Sequence, residues 1–223
     1  MKIYLSSLAC EPLVRYLKDL GFSLVLLDGA GSPVYNEVSA HADIHMCQLG
    51  LWDDVRLFPG NTGKLKRDYP GNIIYNAVCT GKYLIHNLKY TDPLLLEAAG
   101  DLVRVHVPQG YARCCCLPVD DSSFITADEG IAKALEKTSA DVLRISRGHI
   151  LLPGFDYGFI GGCTGHITVK GRKTMIFNGD LSAHPDYKNI AAFIVDRDID
   201  IVFFEDFPLT DIGSILTGRP ISL

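Results

Sequence analysis

Ala112-Arg113-Cys114-Cys115-Cys116-Leu117-Pro118-Val119, followed by Asp120-Asp121 and Ser123-Phe124-Ile125-Thr126, carries the clearest pattern of secondary structure in the chain. The first segment predicts a strand, the paired aspartates a turn, and Ser123–Thr126 a second strand. Thr126 and Glu129 have capping-box spacing, which predicts a helix running to about Lys137. Val142–Ile145 then reads as a returning strand. Alternate side chains of a strand share a face, so Cys114 and Cys116 are expected to point one way and Cys115 the other.

The same order of hairpin, helix and strand recurs outward from this stretch. Upstream, Ile74–Cys79 and Tyr83–His86 flank a Thr80-Gly81 turn, Asp92-Pro93 opens a helix, and Leu102–Val107 returns as a strand. Downstream, Gly165–Val169 and Thr174–Phe177 flank a turn at 170–173. A helix carrying Ile190, Ala191, Phe193 and Ile194 precedes the strand Ile201–Phe204. The two ends are incomplete. The first has a strand Ile3–Leu5, a helix with Leu13, Val14, Leu17 and Leu20, and a strand Phe22–Leu27, but no hairpin. The last has a first strand near Gly213–Gly218 and no helix. Each end supplies what the other lacks. A repeat of roughly 40–50 residues predicts a repeat architecture. The expected fold is an α/β ring of ββαβ units, one domain over residues 1–223, closed by the N- and C-terminal segments. A doubly wound sheet expects single strands alternating with helices and a phosphate-cradling glycine loop, and neither pattern is present.

With 223 residues, 48% apolar and 21% charged, the chain can bury one sizeable core. Its formal charge of −5 leaves no electrostatic footprint for nucleic acid or an anionic membrane. No apolar run is long enough to span a bilayer. Met1–Ser7 reads as a strand rather than a signal peptide, so the expected location is the cytoplasm and the seven cysteines are expected to be reduced thiols. No Cys-x-x-Cys spacing occurs, so neither a structural zinc nor any cofactor is expected. A small-molecule ligand is the expected partner.

The densest run of chemical groups is His41-Ala42-Asp43-Ile44-His45-Met46-Cys47. As a strand it would set His41, Asp43, His45 and Cys47 along one face. Three readings stand side by side: acid/base and binding groups on an inner rim, metal ligands, or a hydrogen-bonded polar lining. Same-face groups on a flat strand are nearly 7 Å apart, which weighs against a shared ion. A second candidate is Cys163, in Gly161-Gly162-Cys163-Thr164-Gly165-His166, where flanking glycines, Gly162 among them, allow a ligand close to the backbone. The bland reading of Cys163 is a small buried residue in a tight bend.

His166-Ile167-Thr168-Val169-Lys170, followed by Thr174-Met175-Ile176-Phe177-Asn178-Gly179, resembles the penultimate repeat of the penteins. These α/β propellers are the fold of the guanidino-group-modifying enzymes, which include arginine deiminases, amidinotransferases and dimethylarginine dimethylaminohydrolases. His41-Ala42-Asp43 is similar to the family's His-x-Asp. The resemblance implies a cysteine nucleophile, His166 as general acid/base, His41 and Asp43 as binding or orienting groups, and carboxylates such as Asp156, Asp206 and Asp211 to grip a guanidinium. In that family the nucleophile lies in the closing strand. Here that strand reads Asp211-Ile212-Gly213-Ser214-Ile215-Leu216-Thr217, and no cysteine follows Cys163. Cys163 therefore stands as the substitute. The expected function is a hydrolase or transferase acting on a guanidino or related C–N group. The alternatives are a non-catalytic pentein-fold protein that binds a ligand or partner, and a metal-dependent hydrolase using His41, Asp43 and His45.

Overall fold

Hairpins followed by a helix and a parallel strand account for most of the regular structure in the computed structural model, which describes residues 2–221. The chain runs through β1 (Lys2–Ser6), α1 (Glu11–Asp19), β2 (Ser23–Leu27), α2 (Asn36–Ser39), α3 (Ala42–His45), β3 (Met46–Leu49) and β4 (Arg56–Pro59). It continues through β5 (Val78–Cys79), β6 (Tyr83–His86), α4 (Pro93–Ala98), β7 (Val103–His106), α5 (Ala112–Cys115), β8 (Cys116–Pro118), β9 (Ser123–Thr126), α6 (Glu129–Leu135) and β10 (Asp141–Arg144). Last come β11 (Thr164–Val169), β12 (Arg172–Phe177), α7 (Tyr187–Val195), β13 (Asp200–Val202) and β14 (Leu216–Pro220).

Three stretches share one pairing scheme. In each an antiparallel hairpin (β5–β6, β8–β9, β11–β12) is followed by a helix and by a strand that lies parallel to the hairpin's second strand. A fourth copy is assembled from both ends of the chain. β14 runs antiparallel to β1, with Thr217 opposite Ile3, and β1 runs parallel to β2 across α1. The hairpin β3–β4 has no helix or third strand of its own. The strands form one sheet of order β2-β1-β14-β4-β3-β5-β6-β7 and two three-stranded sheets, β10-β9-β8 and β11-β12-β13.

The helices follow from their sequences. α1 has a proline in its first turn, and Gly21, at φ +82°, takes the left-handed conformation that ends it. Asp92 caps α4 by accepting from the N–H groups of Leu94 and Leu95. α6 is capped by Asp128, which accepts from Ile131 N, and not by the Thr126–Glu129 box. Asp128 lies closer to the first free N–H groups, and the Thr126 hydroxyl oxygen accepts from Asp128 N instead, while its hydrogen goes to Cys115 O. Three helices bury apolar residues a turn apart on their own units' sheets: Leu13 and Leu17 from α1, Ile131 and Leu135 from α6, Ile190 and Ile194 from α7. Each such side chain contributes about 1.5–3 kcal/mol of burial. Among the described residues, no helix is long and apolar enough to cross a membrane.

Several strand expectations are corrected. Of Ile74–Cys79 only Val78–Cys79 is strand, and the strand expected near Gly213–Gly218 begins at Leu216. His41–Cys47 is not a strand: Ala42–His45 is a helical turn, and the strand begins at Met46. The backbone donors are spent elsewhere, His41 N on Val38 O and Asp43 N on Gly213 O, so no ladder can form. Ala112–Cys115 is likewise a helical turn, with Cys115 N donating to Tyr111 O and Arg113 N to Asn76 O. Cys114 and Cys116 therefore do not share a strand face.

Candidate functional site

The heads of the hairpins meet. Asn76, Cys114, Gly162 and Ser214 each stand two residues before the first strand of their units, and Asp43 stands just before β3. Their backbones hold one another: Ser214 N donates to Gly162 O, Asp43 N to Gly213 O, and Arg113 N to Asn76 O. The side chains follow. The Cys114 thiol donates to Asp43 Oδ2 at 3.1 Å, and Asn76 Nδ2 donates to Cys114 Sγ at 3.4 Å. Asn76 Oδ1 accepts from Arg113 N and Cys114 N, which fixes the turn that carries the thiol. Asp211 completes the group, its two oxygens accepting from Gly213 N and Phe159 N, each at 3.0 Å.

Close approach explains two of the glycines. A Cβ on Gly162 would lie 1.9 Å from Asp211 Oδ1, and one on Gly213, at φ +71°, would lie 2.0 Å from His41 Cβ. Ser214 also sits in the left-handed region, at φ +68°, where a side chain costs energy. Its hydroxyl lies 2.6 Å from Asp43 Oδ2 and 3.1 Å from Gly161 O. A hydroxyl has one hydrogen to give. If Asp43 is protonated, its O–H donates to Ser214 and Ser214 donates to Gly161 O, and both bonds are made. If Asp43 is ionised, one acceptor goes unserved. Burial pushes the Asp43 carboxyl up, in the same direction.

His41, Cys114 and Asp211 are buried, and one ligating atom from each lies within 4.8 Å of the others. Burial lowers the pKa of His41, which holds its imidazole neutral, and His41 Nδ1 has no hydrogen-bond partner. Burial, with the carboxyl groups of Asp43 and Asp211 close by, pushes the Cys114 thiol well up. Burial raises Asp211 to about 6, so this carboxylate is ionised at neutral pH. Arg113 lies beneath, fully enclosed, and its guanidinium donates to Gly161 O and Thr164 O. The three groups face a cavity of about 250 Å³ with aromatic walls from Tyr35, Tyr111, Phe155, Tyr157 and Phe159. A second opening, of about 480 Å³, shares His41, Leu152 and Asp211 with it.

Of the residues singled out in the sequence, His41, Asp43, Asp211 and Gly162 come together here. His166 does not line the cavity. It is buried with its Nε2 2.7 Å from Pro118 O and its ring edge-on to Trp52 at 4.8 Å, and burial drives its pKa down to about 3. Cys163 packs in an apolar cluster with Met175 and Phe177, donates to Ile160 O, and has its thiol pushed well up by burial. Asp156 and Asp206 are exposed on loops. His45 turns away, its Nε2 2.6 Å from Ser39 O. Cys114, Asn76 and Ser214 escaped the sequence reading. The signal for them was present: aligning the repeats on their first strands sets Asn76, Cys114 and Ser214 at the same offset.

A thiol, an imidazole and carboxylates gathered under one cavity define an α/β protein with the makings of nucleophilic or metal chemistry. The chain belongs to DUF6873, a family of unknown function, whose profile matches residues 54–216. That span includes Asn76, Cys114, Asp211 and Ser214 and leaves out His41 and Asp43. No curated protein and no solved structure matches the chain.

Proposed function

We propose that this protein is a thiol-dependent enzyme acting on a guanidino or related C–N group, built on a pentein-like ring of ββαβ units. The observation that carries the reading is the placement of Cys114, His41 and Asp211 together beneath one cavity. The ring is supported by the four copies of the hairpin–helix–strand scheme, one made from both chain ends, and by the hydrogen bonds between hairpin heads. In this reading Cys114 takes the part expected of a closing-strand cysteine, where Ser214 stands, and His41 takes the part the resemblance gave to His166.

The resting thiol keeps its proton, because burial, with the Asp211 carboxylate nearby, opposes the thiolate. A cationic substrate seated against Asp211 reverses the local field, and the neutral His41 accepts the thiol proton. Sγ attacks the guanidinium carbon and a C–S bond forms. The C–N bond then breaks as His41 returns the proton to the departing amine. Water, deprotonated by His41, attacks the same carbon; a C–O bond forms, the C–S bond breaks and the thiol is restored.

Arginine, agmatine, methylated arginines and simple guanidines form the test panel, with released ammonia or amine as the readout. Turnover of at least one compound is expected, abolished in Cys114→Ser and kept in Cys163→Ala. No turnover, with no thiol that alkylates selectively under limiting reagent, would leave the non-catalytic ligand-binding reading. One observation favours a second reading: His41, Cys114 and Asp211 are zinc-type ligands at compatible spacing. Metal content of the purified protein, and turnover with and without chelator, separates the two.

A further inference from the structure

Among the described residues, no lysine or arginine lines the cavity to neutralise a ligand's carboxylate. Its floor is Asp211, Cys114 and His41, and its walls are aromatic. The second opening onto His41 and Asp211 brings Glu37 and Asn36, again without a cation. Arg113 is near but turned down, its guanidinium engaged with the carbonyls of Gly161 and Thr164. Arg147 lines the next cavity, which has Gln109, Tyr157 and Phe159 in common with this one and holds Asp128 as well. A carboxylate brought into the aromatic cavity would lose its water and meet Asp211.

An organic cation meets the opposite conditions. Aromatic faces carry the negative part of the ring quadrupole and attract ammonium and guanidinium groups within about 6 Å. The two nearest tyrosines are fixed in place: Asn72 Nδ2 donates to Tyr111 OH at 2.8 Å, and the Tyr111 and Tyr35 hydroxyls share a bond of 2.8 Å. Phe155 leans on Tyr35, with ring centroids 6.1 Å apart, and is itself about half exposed at the rim. Val38 and Leu152 add aliphatic wall, which suits hydrocarbon on the cation's nitrogen. The volume of about 250 Å³ is below that of drug-sized pockets.

Resting on the proposed guanidino chemistry, we infer that the site selects a small N-alkylated cation without a carboxylate, an alkylguanidinium or alkylamidinium, over guanidino acids. The cationic head lies against Asp211 and beside Cys114, and the alkyl tail lies between Tyr35, Tyr111 and Phe155.

Calorimetric titration of the full-length protein tests this with two ligands of equal chain length, n-butylguanidinium and 4-guanidinobutanoate. The carboxylate-free cation is expected to bind at least about tenfold more tightly. Phe155→Ala, a substitution at the exposed rim, is expected to weaken n-butylguanidinium binding several-fold while the thermal melt stays unchanged. Equal or tighter binding of the guanidino acid overturns the inference, and so does failure of n-butylguanidinium to bind. Turnover of guanidino acids in preference to alkylguanidines would defeat this selectivity and leave the enzyme reading intact. Tight binding of n-butylguanidinium without turnover of any guanidine would do the reverse.

Discussion

The Cys114 thiol donates a hydrogen bond to Asp43 Oδ2 across 3.1 Å, joining residues 71 positions apart in sequence. The bond fixes the thiol's position, and burial keeps the proton on it. A protonated sulfur beside carboxylates is a poor nucleophile until a positive charge arrives.

Alkylation kinetics read that dependence directly. Cys114 is expected to react slowly with neutral iodoacetamide near pH 7. A haloacetamidine of similar size, which carries its own positive charge, is expected to modify Cys114 at least about tenfold faster, a difference of roughly 1.4 kcal/mol in barrier. Mass spectrometry of peptides from limiting labelling assigns the site, and Cys163, enclosed in apolar side chains, should remain unmodified.

Ser214 combines a left-handed backbone with a buried hydrogen bond. Ser214→Ala keeps the strain and strips the hydroxyl from Asp43 and Gly161, so a loss of about 1–3 kcal/mol is expected in urea denaturation. Ser214→Gly loses the same bonds but relieves the backbone, and should recover about 1 kcal/mol of that loss. A glycine variant less stable than the alanine variant would contradict the strain assignment.

Gly162 lets Asp211 lie against the backbone, since an added Cβ would be 1.9 Å from Oδ1. Gly162→Ala should therefore move Asp211 off the N–H groups of Phe159 and Gly213. The expected cost is about 1–3 kcal/mol of stability, accompanied by loss of guanidinium binding. Chemical denaturation and calorimetry measure the two effects separately.

Asp211 titrates at about 6 in the folded chain against an ordinary 3.8. Between those values the folded state holds more protons than the unfolded one. The group's contribution to stability is therefore greatest below about pH 4 and declines by about 3 kcal/mol as pH rises through 6. Cation binding runs the other way, since it needs the ionised carboxylate, and affinity for n-butylguanidinium should rise from pH 5 to pH 7. Carboxyl-carbon NMR of Asp211 gives the midpoint; a value near 4 would remove both expectations.

Much of the architecture was legible because local chemistry writes it. Asp92-Pro93 predicted the start of α4, and the spacing of Leu13 and Leu17 the buried face of α1. The pairing of the two chain ends was readable from what each end lacked. The turns at 42–45 and 112–115 were not readable, because their alternating or apolar composition suits a strand and only distant acceptors, Gly213 O and Asn76 O, claim the backbone donors.

Local sequence was enough to outline the units, with their hairpins, helices and returning strands, and to show acids, thiols and imidazoles without excess basic charge. Which of these groups meet depends on the folded chain. Cys163, between glycines, was the candidate nucleophile in sequence, yet it lies in an apolar core, while Cys114 lies beside Asp43 and Asp211 at the foot of a cavity. The difference is made by packing across units, where a few ångströms place one thiol among carboxylates and seal the other among methyl groups and rings. That information is carried by contacts separated by scores of residues, which no local pattern encodes.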